Sequence, residues 1–287
     1  MTKCLSPAEV RAYHETGLHF PLRALERGEV AALRARYEAQ RHLIKGRTNQ
    51  KPHLLVPWIA DLVRHPRILD AVEDVLGPNL LCWGAQFFTK PAGDPGFVSW
   101  HQDATYWGLS APEVVTAWVA LSPSNPRSGC MKVVPGTHRS QVQHEDSFSE
   151  ANLLTRGQEI AVEVDETRAV CVTLEPGEFS LHHVLVFHAS EPNLSDDIRI
   201  GFAIRYVPTH IRQTAGVRES ATLVRGVDEH RHFDPEPAPA ADLHPDAVAA
   251  HAAAVDKQIA VLYAGARQRG RLQEPVSARP EPAWRDG

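Results

Sequence analysis

Two short segments of the sequence carry the side chains with the clearest chemical potential. The first is Trp100-His101-Gln102-Asp103, and the second runs from His188 to Ser195 and is followed by Arg199. Together they provide two imidazoles, one carboxylate and one guanidinium. Two histidines and a carboxylate form the ligand set of non-haem Fe(II) oxygenases, and a guanidinium can anchor an acidic cosubstrate. The two segments therefore predict oxidative chemistry.

The His-x-Asp spacing is a weak signal by itself, because the sequence contains four such pairs: His101/Asp103, His144/Asp146, His232/Asp234 and His244/Asp246. Residues two apart on a strand point to the same face, so such a pair can meet one metal from one side. The last three pairs lie in polar or charged segments or beside a proline at a predicted helix start. The neighbours Trp100, Tyr106 and Trp107 favour the first pair, since aromatic side chains are typical of a pocket rim.

Three histidines could supply the third ligand: His182, His183 and His188. His182 and His188 have the same parity on a strand, so spacing alone leaves both open. Arg199 follows His188 by eleven positions, across a predicted turn at 191–197, and no other histidine from His138 to His210 has an arginine at this distance. This favours His188. The alternative is a core histidine satisfied by backbone groups, with Arg199 in a surface ion pair.

The elements that must position these side chains begin with helices. Ser6-Pro7-Ala8-Glu9 is a capping box with proline at the first helical position, and Gly17 suits a helix stop. These residues predict a helix from Pro7 to Thr16. Periodicity predicts further helices over 29–43, 57–63 and 66–76, and an alanine-rich one over 245–264. The part before about residue 78 should therefore be mainly helical.

After Pro78 the pattern changes to short β-rich runs separated by turn residues. The predicted strands cover 80–90, 114–121, 131–134, 160–164, 179–187 and 198–207. With no helices between them, these strands favour an antiparallel double sheet or jelly-roll barrel, a mainly β fold with flanking helices. We expect one domain over 1–267, with a helical C-terminal extension, and a disordered tail over 268–287.

Composition and charge narrow the classes of partner that the protein could bind. The 287-residue chain has a formal net charge of −5 and no dense basic run, which argues against a nucleic-acid partner and favours a small molecule. There is no apolar stretch long enough for a membrane span, and the N-terminus lacks the apolar core of a signal peptide, so we expect a cytoplasmic protein. The four cysteines show no Cys-x-x-Cys spacing, which gives no sign of a zinc knuckle or redox pair.

The sequence resembles the phytanoyl-CoA dioxygenase family of Fe(II)- and 2-oxoglutarate-dependent oxygenases from about Leu5 to Pro208. The resemblance rests on several motifs in the same order: Gly77-Pro78-Asn79, Trp100 to Asp103, Ala117 to Leu121, Ser128 to Met131, Val134 to His138, and His188 through Arg205-Tyr206. It implies a double-stranded β-helix, the cupin-like form of the jelly roll.

The resemblance also implies the site and its reaction. Iron would be held by His101, Asp103 and His188. Arg199 and Ser190 would hold the distal carboxylate of 2-oxoglutarate, and Trp118 would line that pocket. With O2, decarboxylation of the cosubstrate would release succinate and CO2 and hydroxylate an unactivated C–H bond. Related halogenases have a small residue at the carboxylate position, so Asp103 favours hydroxylation over chlorination.

The substrate is predicted only by class, as a small polar or anionic metabolite. The basic segment 45–53 could clamp an anionic group through Lys51, His53 or Arg47, although a solvated loop is the simpler alternative. Strand residues could add polar contacts: Gln86, Lys90 and Arg205.

Two other functions are compatible with the same residues. A non-catalytic barrel could bind a metal or ligand without oxidation. A zinc hydrolase could use the same two histidines and Asp103, but the sequence offers no motif for its general base or oxyanion donor.

Overall fold

The first helix begins where the capping box predicts it. In the computed structural model, which describes residues 2–147, 151–154, 157–266 and 272, Glu9 N donates to Ser6 Oγ and Ser6 N donates to the Glu9 carboxylate at 2.7 Å. The helix ends at Gly17, whose φ of 73° is the left-handed conformation that glycine adopts without strain. Local sequence alone therefore sets this element.

The described residues form five α-helices and thirteen strands. The helices are α1 Pro7–Thr16, α2 Arg27–Gln40, α3 Pro57–Leu62, α4 Pro66–Leu76 and α5 Pro245–Leu262. The strands are β1 Leu18–Arg23, β2 Leu80–Lys90, β3 Val98–His101, β4 Val115–Ala120, β5 Met131–Val134, β6 His144–Asp146, β7 Gln158–Ile160, β8 Val170–Cys171, β9 Glu178–His183, β10 Phe187–Ser190, β11 Arg199–Pro208, β12 Ser220–Arg225 and β13 Asp234–Pro235.

Two sheets carry the architecture. The larger has the order β1-β9-β4-β11-β2-β12-β13, the smaller has the order β3-β10-β5-β8, and β6 pairs with β7 separately. Side chains of both main sheets line one cavity, so the sheets enclose it between them. This is the predicted mainly β, jelly-roll class with flanking helices. The expected closure into a barrel was wrong, because the two sheets of the described residues remain separate.

Strand β11 shows how the larger sheet divides the molecule. Ile200, Phe202 and Ile204 are fully buried in the main hydrophobic core together with residues of the N-terminal helices. The alternate residues, from Arg199 to Arg205, point to the opposite face, because successive side chains of a strand alternate. The helices thus cover one face of the sheet and leave the other for polar chemistry.

A β-bulge in β2 changes which side chains reach that face. Arg205 pairs with Gly84 and Tyr206 pairs with Cys82, which leaves Trp83 as the extra residue. Cys82 belongs to the main core, whereas Trp83 packs in a different cluster. Bulges re-aim side chains in this way and are common beside functional sites. As a result the consecutive residues 83 and 84 both face away from the main core.

Most predicted elements are present, and the errors in their predicted bounds have local causes. The helix over 66–76 and the strands over 80–90 and 131–134 match, whereas the strand predicted over 160–164 instead ends at Ile160. The run 179–187 is two strands rather than one, because its turn at Val184 to Val186 is built from apolar residues that gave no signal. Strand β1 lies within the part predicted to be helical. The predicted tail at 268–287 falls, apart from Leu272, outside the described residues.

No helix within residues 2–147, 151–154 and 157–266 combines the length and the apolar character needed to cross a membrane.

Candidate metal and cosubstrate site

His101 and His188 are neighbours across two strands. His101 is the last residue of β3 and pairs directly with His188 of β10 in the antiparallel smaller sheet. Directly opposed residues on such strands project to the same face. The two imidazole centroids lie 4.0 Å apart. Backbone pairing therefore brings the two histidines together before any ligand is considered.

The backbone also orients both rings. Nδ1 of His101 lies 2.9 Å from the Ser99 carbonyl oxygen, and Nδ1 of His188 lies 3.0 Å from the Val186 carbonyl oxygen. Each Nδ1–H donates to a carbonyl two residues earlier, so each neutral ring keeps its Nε2 lone pair free. Metal-binding histidines are commonly held by such a hydrogen bond.

Asp103 reaches the histidines by a turn and not by strand alternation. Strand β3 ends at His101, and Asp103 begins the 3₁₀ turn Asp103–Tyr106. The Asp103 backbone N–H donates to the Val184 carbonyl at 2.9 Å, which fixes the turn. Its Oδ1 then lies 3.4 Å from His101 Nε2. The expectation that both residues share a strand face was wrong, although the two side chains do converge.

The three side chains form a buried cluster with free donor atoms. The potential ligand atoms of His101, Asp103 and His188 lie within 4.8 Å of one another. Among the described residues, no other group of three or more His, Cys, Asp or Glu side chains could hold a metal ion in this way. His182 lies on β9 of the other sheet, with its ring 5.1 Å from that of His188, and stands outside the cluster.

Charge in the cluster suits a divalent cation. Burial would raise the pKa of Asp103, but hydrogen bonding with His101 and the charge of Arg205 hold that pKa below its ordinary value. Burial lowers the pKa of His188 well below its ordinary value. An ionised Asp103 carboxylate and a neutral His188 imidazole are the protonation states that a metal needs. The residues present therefore fit iron.

A cavity of about 480 Å³, including its solvent-open part, extends from this cluster to Arg199. Arg199 is 2% exposed, and its guanidinium donates to the Gly129 carbonyl. Nε of Arg199 has no hydrogen-bond partner among the described residues. Burial lowers its pKa to about 10, so the group stays positive at neutral pH. The same cavity is therefore lined by a buried cation and by the carboxylate of the metal cluster.

Trp118 supports this cation. The Arg199 guanidinium carbon lies 5.5 Å from the Trp118 ring centroid, which is within the range of a cation–π interaction. Gly201 on the neighbouring strand makes room for the ring. A Cβ atom at that position would lie 1.8 Å from Trp118 Cζ2. The Trp118 ring thus packs against both Gly201 and the Arg199 guanidinium in the wall of the cavity.

Lys90 lies beside Ser190 and Arg199, a position that sequence reasoning missed, since Lys90 was predicted as a substrate contact. It pairs directly with Arg199 across β2 and β11. Its fully buried ammonium donates to Ser190 Oγ at 2.8 Å, which leaves the Ser190 hydroxyl proton free to donate elsewhere. Burial, with the nearby charge of Arg199, lowers the pKa of Lys90 to about 7. The sequence signal that could have identified this position is a lysine at the end of a mainly apolar strand.

The predicted anionic clamp at Lys51 and His53 was wrong. Both side chains are buried, and Lys51 Nζ lies 2.6 Å from Glu236 Oε1 and donates to the Ser220 carbonyl. His53 Nε2 lies 3.4 Å from the other oxygen of the same carboxylate. Neither residue lines the cavity beside the metal cluster, and Arg47 pairs with Asp256. The basic segment closes on an acid from a distant part of the chain, which local sequence could not indicate.

A second cavity adjoins the first and has Gln86 and Arg205 in its wall, while their contact with a substrate stays a prediction. Trp107, predicted as a pocket-rim residue, also lines this cavity, whereas Trp83 and Glu219 in its wall were not predicted. Trp83 was missed because it reaches this face through the bulge, and Glu219 because it belongs to no motif.

Comparison with known proteins identifies the same family that the sequence resembles. The family model for phytanoyl-CoA dioxygenase (PhyH) matches residues 1–201. A Stutzerimonas stutzeri protein named "Probable alpha-ketoglutarate-dependent hypophosphite dioxygenase" is 30% identical over 152 residues, which are 51% of this chain and 51% of that protein. The chain spans about half the length of the curated relatives it matches.

Solved structures extend the likeness. The apo form of the non-heme monooxygenase ThoJ superposes with a TM-score of 0.81 at 34% identity, covering 89% of this chain and 97% of that one. CytC3 with Fe(II) and alpha-ketoglutarate superposes with a TM-score of 0.61 at 27% identity, covering 82% of this chain and 99% of that one.

Proposed function

This chain belongs to the phytanoyl-CoA dioxygenase family, and from that premise we propose that it is an Fe(II)- and 2-oxoglutarate-dependent dioxygenase. It hydroxylates a C–H bond of a small polar or anionic metabolite and releases succinate and CO2. The observation that carries the proposal is the convergence of His101, Asp103 and His188 within 4.8 Å in the wall of a cavity. Arg199 lines the same cavity.

His101 and His188 would hold the metal through Nε2, and Asp103 would hold it through a carboxylate oxygen. Iron held there would supply the activation of O2 together with the 2-oxo acid. The protein holds the rings in place through the Ser99 and Val186 carbonyls. The aromatic and aliphatic cavity walls limit the access of water.

Arg199 and Ser190 bind the distal carboxylate of 2-oxoglutarate. The guanidinium fork suits a carboxylate, and the hydroxyl proton of Ser190 is available because Lys90 already donates to its oxygen. Lys90 adds a second positive charge beside the site. Trp118 packs against Arg199 and fixes the width of the pocket.

Asp103 favours hydroxylation over chlorination because it occupies the position that a chloride would need. The substrate enters from the second cavity, where Gln86 and Arg205 offer polar contacts. Lys51 and His53 take no part in substrate binding, since both side chains are buried against Glu236 and line neither cavity. Arg205 and Asp103 are the charged residues that line both cavities.

The test is turnover of the iron-loaded protein. With 2-oxoglutarate and O2, succinate should form in step with O2 consumption, and Asp103→Ala should abolish it. Asp146→Ala removes the carboxylate of another His-x-Asp pair and should leave turnover at the parental rate. Undiminished succinate formation by Asp103→Ala would remove Asp103 from the ligand set.

A further inference from the structure

The second cavity opens directly onto the candidate metal site. Four residues line both cavities: Phe88, Asp103, Leu154 and Arg205. The second cavity measures about 590 Å³, including its solvent-open part, which suits a small molecule. A molecule held there would present part of its surface to the metal ligands. The character of the remaining wall then indicates what that molecule is.

Arg205 presents a guanidinium without a hydrogen-bonded acceptor. No hydrogen bond joins it to any residue in the described part of the chain, and its Nε is buried. Its guanidinium carbon lies 5.1 Å from the Trp107 ring centroid and 6.0 Å from that of Phe88. A flat, stacked guanidinium keeps its edge N–H groups free for a planar anion such as a carboxylate.

Glu219 presents a carboxyl group in the same cavity; burial raises its pKa, and an ammonium group bound beside it would favour the charged form. Glu219 is 2% exposed, and its Oε2 accepts hydrogen bonds from Trp83 Nε1 at 2.9 Å and Gln213 Nε2 at 2.7 Å. Its Oε1 has no partner among the described residues. An unsatisfied buried carboxylate oxygen costs free energy unless a donor meets it. The missing donor on this wall is best supplied by a ligand N–H group.

An apolar surface joins the two charges. The Trp83 and Trp107 rings pack with centroids 4.8 Å apart, so contacts run from Arg205 through both indoles to Glu219. Gly84 leaves space beside them, since a Cβ atom there would lie 3.5 Å from Gln258 Nε2 and 4.0 Å from Arg205 Cδ. The cavity thus combines a cation, an anion and a flat apolar wall.

We propose that this second cavity is the substrate chamber and that its ligand is a zwitterion of the amino-acid class. The ligand's carboxylate binds Arg205, its ammonium binds Glu219, and its apolar body lies on Trp83 and Trp107. This inference rests on the proposed function, because it takes the molecule in the chamber as the one to be oxidised. The proposed ligand carries both a positive and a negative charge, whereas the sequence predicted a polar or anionic metabolite.

The experiment uses matched probes on the anaerobic Fe(II)- and 2-oxoglutarate-loaded protein. Linear ω-amino acids of increasing chain length, whose ammonium and carboxylate lie at opposite ends of an apolar chain, are compared with their N-acetyl derivatives, which lose the positive charge, and their methyl esters, which lose the negative charge. Calorimetry gives each dissociation constant. At least one free amino acid should bind, and each capped form of it should bind at least tenfold more weakly.

Two variants assign the charges to their residues. In Glu219→Gln, which can still accept from Trp83 and Gln213, N-acetylation should lose its effect. In Arg205→Gln, esterification should lose its effect. The exposed residues Glu229 and Arg212 provide matched controls, and Glu229→Gln and Arg212→Gln should discriminate like the parent protein.

The outcomes distinguish failure of the zwitterion assignment from failure of the proposed function. If no amino acid binds, or if the capped forms bind as well as the free ones, the zwitterion assignment is overturned. It is likewise overturned if Glu219→Gln keeps the parental discrimination. The visible band of the 2-oxo acid on iron, recorded in the same samples before the probes are added, reports on the proposed function. Its presence without amino-acid binding rejects only the assignment of the chamber.

Discussion

His101 and His188 oppose each other directly on two antiparallel strands, with imidazole centroids 4.0 Å apart and each Nδ1 held by a backbone carbonyl. Strand register, and not the metal, sets their distance. The metal-binding face is therefore organised by the fold itself, and its variants should lose metal chemistry without losing the sheet.

Arg199→Gln should weaken 2-oxoglutarate binding. It removes a buried guanidinium from the cavity wall, and a hydrogen bond to a charged group contributes about 1.5–3 kcal/mol, or roughly ten- to hundredfold in affinity. Anaerobic titration of the iron-loaded protein measures this. Arg34→Gln breaks the surface pair with Asp197 and is the matched control, expected to bind like the parent. Equal affinity in both variants would argue against Arg199 as the anchor.

Gly201→Ala should damage the same pocket through Trp118. The new methyl group would overlap the indole, and overpacking of this kind costs about 1–3 kcal/mol. We expect a lower denaturation midpoint together with a raised KM for 2-oxoglutarate. Gly28→Ala meets no atom within 4 Å in helix α2 and should leave KM unchanged. A Gly201→Ala protein with parental stability and KM would show that the ring can move away freely.

Lys51→Met should change stability and not substrate binding. Removing one partner of a buried ion pair costs about 3–5 kcal/mol, because Glu236 would remain buried without its charge partner. Urea unfolding measures the loss. Lys257→Met removes a half-exposed pair with Asp234 and should cost no more than about 1 kcal/mol. A raised substrate KM with parental stability would instead restore Lys51 to the substrate clamp.

Binding of 2-oxoglutarate should take up protons above about pH 7. Burial lowers the pKa of Lys90 to about 7, so its ammonium is charged below that pH and increasingly neutral above it. A bound dicarboxylate favours the charged form, so affinity should fall as the pH rises through 7 to 9. Calorimetry at pH 8 in buffers of different ionisation enthalpy counts the protons. Lys90→Met should show no uptake from this residue, and uptake as large as in the parent protein would exclude Lys90.

The sequence predicted those parts of the molecule that depend on local pattern. Ser6 and Gly17 bound the first helix by capping alone, and the spacing from His188 to Arg199 matches a strand, a turn and the next strand. Motif order gave the candidate metal ligands, although the turn that carries Asp103 was not foreseen.

The errors arise where distant residues decide the outcome. Lys51 seemed exposed because nothing near it in sequence is acidic, but Glu236 packs against it across the fold. Trp83 reaches the second cavity only because the β2 bulge reverses the alternation of side chains. Glu219 has no motif around it, and only its unpartnered oxygen in the folded protein marks it.

The most direct test of the central claim is an anaerobic Fe(II) titration with and without 2-oxoglutarate. A bidentate 2-oxo acid on Fe(II) gives a weak visible metal-to-ligand charge-transfer band. We predict that the band appears in the parent protein at one iron per chain and is absent in His188→Ala, while His42→Ala, at an exposed histidine, keeps it. A parent protein that never shows the band, or a His188→Ala protein that keeps it, would contradict the oxygenase site described above.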